Sequence, residues 1–138
     1  MHPHTAYGQH KQRPLSRVDL IITSYRKGIE RLERAEGFLA EQRREAALPL
    51  LVEAQTIVAS LASGMAGNTD ASALRFFRLY EFVCRMIADA TNDSLRSARR
   101  VLTPLLEAFE AVRSEAVALE SQGLISPLER ERQLQLTV

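Results

Sequence analysis

The chain has 138 residues, room for one domain. Eighteen Lys and Arg against 17 Asp and Glu leave a formal charge of +1, without the basic excess of a nucleic-acid binder. A 46% hydrophobic share excludes a disordered chain, six Gly and five Pro are too few for a turn-rich β sandwich, and one cysteine, Cys84, excludes an intramolecular disulfide.

Residues 1–15 read as a flexible N-terminal arm: they hold all three histidines and show no apolar periodicity. The arm has no apolar h-region, so no secretory signal is expected. Ser16 is the expected N-cap of a first helix, with Asp19 at its positive end. Val18, Ile21, Ile22, Tyr25, Ile29, Leu32, Ala35 and Leu39 recur at steps of three and four and carry that helix to about residue 42. A second helix is expected over residues 46–65, with Pro49 in its first turn, where a missing N–H costs nothing. Gly64, Gly67 and Asn68 mark a loop. Thr69 or Asp70 caps a third helix reaching about residue 90. Asn92 and Asp93 interrupt the chain, and a fourth helix runs from about Ser94 to Gln122, where Gly123 stops it. Pro104 inside it predicts a kink. Ser126, Pro127 and Glu129 have the spacing of a cap, an N1 proline and an N3 glutamate, which predicts a short fifth helix in a tail over 123–138. The fold class expected is all-α, an antiparallel four-helix bundle over 16–122. No apolar run approaches the roughly 20 residues that span a bilayer.

The residues point away from catalysis. No histidine lies beyond His10, so a nucleophile in the bundle lacks a histidine base and no Glu-x-x-His metal pair exists. There is no phosphate-binding loop and no CxxC. No enzyme activity, cofactor or metal is expected. Cys84 lies in an apolar stretch and reads as a small core residue; a lone cysteine also fits a reducing, cytoplasmic location. Arg96, Arg99 and Arg100 form the densest basic cluster and read as a solvated helix face.

The third helix carries more apolar surface than a bundle seat needs. Arg75, Arg78, Arg85 and Asp89 follow one narrow stripe, while Phe76, Phe77, Leu79, Tyr80, Phe82 and Val83 cover most of the remaining circumference. Two readings stay open from the pattern alone: a central, most buried helix, or a groove for an apolar helix of another protein.

Four stretches, in order, resemble the flagellar secretion chaperones of the FliS family. Residues 6–12, around Tyr7, resemble the family's tyrosine-containing arm. Val18 to Ile21, then Tyr25, Gly28 and Ile29, resemble its first helix. Residues 53–61 resemble its second, and Leu79 to Val83 with the following 85–90 its "LYDYINRRLIEA" stretch. The resemblance covers about residues 5–113. It implies an antiparallel bundle that holds the C-terminal segment of newly made flagellin, prevents premature polymerisation, and delivers it to the membrane-embedded type III export gate. It further implies a chaperone that is mostly monomeric when free and neither binds nucleic acid nor inserts into membranes. By position it assigns partner contact to Tyr7, Ile21, Ile22, Tyr25, Ile29, Leu79, Tyr80 and Val83. The family's "LYDGA" is here Ser24-Tyr25-Arg26-Lys27-Gly28, which reverses local charge beside Tyr25 and predicts a client with complementary acidic residues. The alternative function is an adaptor or regulator that binds another amphipathic helix of the flagellar system.

Overall fold

A computed structural model describes residues 17–64 and 70–123 of the chain. These form four α-helices: α1 (Arg17–Ala40), α2 (Arg44–Ser63), α3 (Ala71–Asp89) and α4 (Asn92–Ser121). Each helix packs on two others: α1 on α2 and α4, and α3 on α2 and α4. Contacts run in antiparallel order, since Asp19 meets Arg113 near one end of α1 while Glu36 meets Arg99 near the other. The result is the all-α four-helix bundle that the periodicity predicts. The arm, Ser16, Thr69 and the expected fifth helix lie outside the described residues.

Helix ends are set by local chemistry. Asp70 caps α3, its Oδ1 accepting the N–H of Ala73 at 2.8 Å. That bond satisfies one of the donors that every helix start leaves free. Asp70→Ala is expected to cost about 1 kcal/mol, read as a lowered urea midpoint with unchanged slope. At α4 the boundary is earlier than expected. Thr91 and Ser94 cap each other: the Ser94 N–H donates to Thr91 Oγ1 at 2.9 Å, and the Thr91 N–H to Ser94 Oγ at 3.0 Å. Asn92 and Asp93 therefore occupy the first turn instead of breaking the chain. At the end of α1, Gln42 takes a left-handed backbone (φ 61°), and the Arg43 N–H reaches back to the Phe38 carbonyl at 2.8 Å. That closure ends the helix at Ala40, two residues before the expected position.

Both helical prolines sit on wet faces. α2 begins at Arg44, so Pro49 stands in the second turn, not the first. Its missing N–H frees the carbonyl of Glu45, which is exposed and can be hydrated. Pro104 is likewise exposed, and α4 runs through it unbroken.

The core is a column of aliphatic layers: Val18 and Leu32 from α1, Val58 from α2, Val83 from α3, Leu95 and Leu102 from α4. Ion pairs hold two of the four seams. Asp19–Arg113, Arg26–Glu110 and Glu36–Arg99 tie α1 to α4, and Glu53–Arg31 ties α2 to α1. The Glu36–Arg99 pair is two-pronged and partly buried, the geometry in which a guanidinium binds a carboxylate best. One expectation is corrected here. By length and composition α2 is apolar enough to cross a bilayer, with a mean hydropathy of 1.5 over its best window. Its apolar residues divide between the core (Leu50, Leu51, Val58) and the outer surface, where Leu48 and Val52 are exposed. One helix of this kind is weak evidence for a membrane span, because core helices of bundles share the composition.

Candidate functional site

Four aromatic rings from three helices meet inside one half of the bundle. Tyr25 of α1 lies 5.4 Å from Phe109 of α4 and 6.4 Å from Tyr80 of α3, centroid to centroid. Phe76 closes the circuit, 6.2 Å from Tyr80 and 6.4 Å from Phe109. All four pairs are tilted, the arrangement that ring quadrupoles favour. The two tyrosine hydroxyls, 55 residues apart in sequence, share a buried hydrogen bond of 2.6 Å. They thereby link α1 and α3 across the diagonal, where the backbones do not approach. Burial raises the Tyr25 pKa far above the ordinary tyrosine value, and the Tyr80 charge and hydrogen bond push the same way. Burial also raises that of Tyr80, against its hydrogen bond with Tyr25. Both phenols are therefore neutral at physiological pH.

Two depressions flank the C-terminal half of α2, with Tyr80 lining both. The first, about 190 Å³, lies toward α1. Leu20, Ile21 and Ser24 face Ser60 and Leu61 across it, and Tyr80 and Phe109 line it as well. The second lies between α2 and α3, with Ala59, Ala62 and Ser63 on one wall and Phe77, Glu81 and Cys84 on the other. A further depression continues along the same seam toward the start of α2, past Thr56, Val52 and Leu48. Large apolar side chains lining these openings stay in water: Leu20 on α1, Leu48 and Val52 on α2, and Phe77 on α3; Leu74 and Leu79 of α3 are exposed as well.

The expected partner residues divide sharply. Ile22, Tyr25, Tyr80 and Val83 are core, at 4%, 1%, 1% and 0% exposure. Tyr80, though interior, also lines two of the depressions. Ile21 and Ile29 are partly buried and packed on the core, and Leu79 is 36% exposed. Tyr7 lies outside the described residues. Leu79 follows the α3 stripe about 100° around from Tyr80, on the side away from Glu81 and Cys84. The sequence pattern missed Leu48 and Val52, because they lie outside the single stripe through Leu51 and Val58. Their signal was an apolar pair one turn apart, i and i+4, on a helix already furnished with a core face.

Some of the charges near the site are answered within the bundle. Arg26, the reversed charge next to Tyr25, pairs with Glu110 of α4, while Lys27 is exposed. The basic cluster on α4 splits: Arg99 pairs with Glu36 and Arg96 with Asp93, while Arg100 is exposed. Among the described residues no group of His, Cys, Asp and Glu is placed to hold a metal ion. Cys84 is half-buried, and burial with the Glu81 charge raises its thiol pKa.

The bundle thus carries apolar seams beside α2 over an internal tyrosine pair. The family model described as flagellar protein FliS matches residues 1–116. The chain belongs to the FliS family. No curated protein and no solved structure matches it. FliS proteins are flagellar chaperones that bind flagellin, and membership gives this chain a flagellar chaperone role.

Proposed function

We propose that this FliS-family chain binds the C-terminal segment of newly made flagellin in the cytoplasm, keeps it from polymerising, and delivers it to the export gate. The observation that carries the reading, given the family, is the set of large apolar side chains left exposed at the depressions along α2, namely Leu20, Leu48, Val52 and Phe77. A client segment that is disordered when free orders as it covers such a surface, and gains affinity from area instead of from a deep pocket. No bond is made or broken in this task, so no catalytic group is needed. Ile21 contributes directly from the rim of the α1/α2 depression, with Ile29 and Leu79 at the neighbouring surfaces and Tyr7 from the arm. Tyr25, Tyr80, Ile22 and Val83 act from below, by holding the walls in place.

Calorimetric titration of the full chain with a synthetic C-terminal segment of flagellin from the same organism tests this. A one-to-one complex with a negative heat-capacity change is expected, the mark of buried apolar surface. Leu20→Asp, at an exposed position in the same depression, is expected to weaken binding about tenfold or more, since burying one leucine is worth roughly 1.5–3 kcal/mol. Its circular dichroism should match the parent. No binding by a folded chain would overturn the proposal and leave the adaptor reading standing.

A further inference from the structure

α3 is the helix whose charges the bundle does not use. The ion pairs between described helices join α1 to α4 and α1 to α2, and none involves α3. Arg78 and Arg85 are exposed, and neither has a partner among the described residues. Both stand on the wall of the α2/α3 seam. Arg44, at the far end of the same seam, makes only a 3.5 Å contact with the Ala90 carbonyl. Against these three arginines the seam carries a single acid, Glu81.

Apart from Gln55 and Thr56, the rest of the seam is apolar or small. Leu48, Val52 and Ala59 succeed one another along α2, and Phe77, Cys84 and Ala88 along α3. The half near Ala59, Ala62 and Ser63 is the wider, about 840 Å³ against about 310 Å³ in the other half, because small side chains leave room there. From Arg44 to Ser63 the seam is about 28 Å long at 1.5 Å rise per residue. An extended strand laid in it would find few partners for its backbone, since the walls offer little beyond Gln55, Thr56 and Ser63. A helix satisfies its own backbone and brings only side chains. Gln55 is the one described residue with a buried side-chain oxygen lacking any hydrogen-bond partner, and it lines this seam. A polar side chain on the arriving helix would complete it after a rotation of the amide.

We propose that the α2/α3 seam seats an amphipathic helix of the client whose apolar stripe is flanked by acidic residues, which pair with Arg78 and Arg85. This rests on the chaperone reading and specifies the chemistry of the client segment that lies here. The concave shape selects a rod, and the arginines along its wall select the rod's charge.

The chain supplies its own reporter, because Cys84 is its only cysteine and lines the seam. Binding of the flagellin C-terminal segment to the full chain is first established by calorimetry. The rate at which Cys84 reacts with a disulfide reagent is then measured at mildly alkaline pH, with and without saturating segment. Protection of about tenfold or more is expected from a seated helix that buries the thiol. The double variant Arg78→Glu/Arg85→Glu is expected to weaken binding about tenfold at low salt, as two exposed pairs of up to about 1 kcal/mol each allow. A segment with its acidic residues changed to lysine should restore it, and Arg100→Glu should leave binding unchanged. Binding that leaves Cys84 fully reactive would overturn the seat. Binding that protects Cys84 but ignores both salt and charge reversal would overturn the acidic chemistry. Absence of any binding would overturn the chaperone reading itself, and this proposal with it.

Discussion

Tyr25→Ala is expected to lower stability by about 3–5 kcal/mol, a large share of the roughly 5–15 kcal/mol of a single domain. Tyr25 is fully buried and packs its ring on Phe109 and Tyr80. Truncation opens a cavity among three other rings and also strands the Tyr80 hydroxyl. The two contributions separate with phenylalanine. Tyr25→Phe keeps the ring but leaves the Tyr80 oxygen without its partner, at about 1–3 kcal/mol. Adding Tyr80→Phe removes the orphan and should return most of that loss, because neither hydroxyl then needs a partner. Urea unfolding of the three variants at neutral pH checks the series. A Tyr25→Ala cost below about 1 kcal/mol would mean that the packed cluster is not the state in solution. The result also governs how binding data are read. Tyr80 and Phe109 line the α1/α2 depression, so a tyrosine variant that loses client binding has first lost the wall. Leu20→Asp is the cleaner probe, because Leu20 lines the same depression and is exposed.

Most of the architecture was legible as periodicity. The stripes through Tyr25 and Leu32, through Leu51 and Val58, and through Leu95, Leu102 and Phe109 are the faces that the bundle buries. Period and length carry that information, since an apolar stripe every 3.6 residues has one way to leave water. The ends were less legible because they depend on which of several polar residues closes the cap. Asp70 was readable as one of two candidate caps, beside Thr69, and the bond to Ala73 selects it. Thr91 was not, since Asn92 and Asp93 advertise a break more strongly, and only the reciprocal bonds with Ser94 decide it.

The site was legible as a surplus, not as a set of contacts. The excess apolar surface on α3 is real in Leu74, Phe77 and Leu79, all exposed. A single helix does not reveal which part of its circumference a neighbour will cover, so the tyrosines, with large rings and polar tips, read equally well as groove or core. The fold puts them inside by giving each the other's hydroxyl, a pairing across 55 residues that no local pattern contains. The same blindness hid the partner of Arg26. Beside Tyr25 it reads as an unanswered charge, and Glu110 answers it from another helix.

The buried phenols also make alkali the condition that should unfold this protein. Below pH about 10 the tyrosines are neutral in both states and contribute no pH dependence. Above it the unfolded chain ionises its phenols, whereas burial holds Tyr25 and Tyr80 neutral in the fold. The unfolded state then binds fewer protons, so stability falls with rising pH, by about 1.4 kcal/mol per unit for Tyr25. Tyr80 adds to the fall in the same direction. The Cys84 thiol, also raised, acts in the same direction from a lower pH. Loss of the ion pairs does not compete as an explanation. Their cations are arginines, which stay charged at such pH, and Lys27 is the only lysine among the described residues. The urea midpoint should therefore be level near neutrality and drop steeply beyond pH about 10. Tyr25→Phe/Tyr80→Phe should abolish the steep part while staying close to the parent at pH 7. An equally steep fall in that variant would place the alkaline sensitivity elsewhere, and a level midpoint in the parent would mean that the phenols reach water.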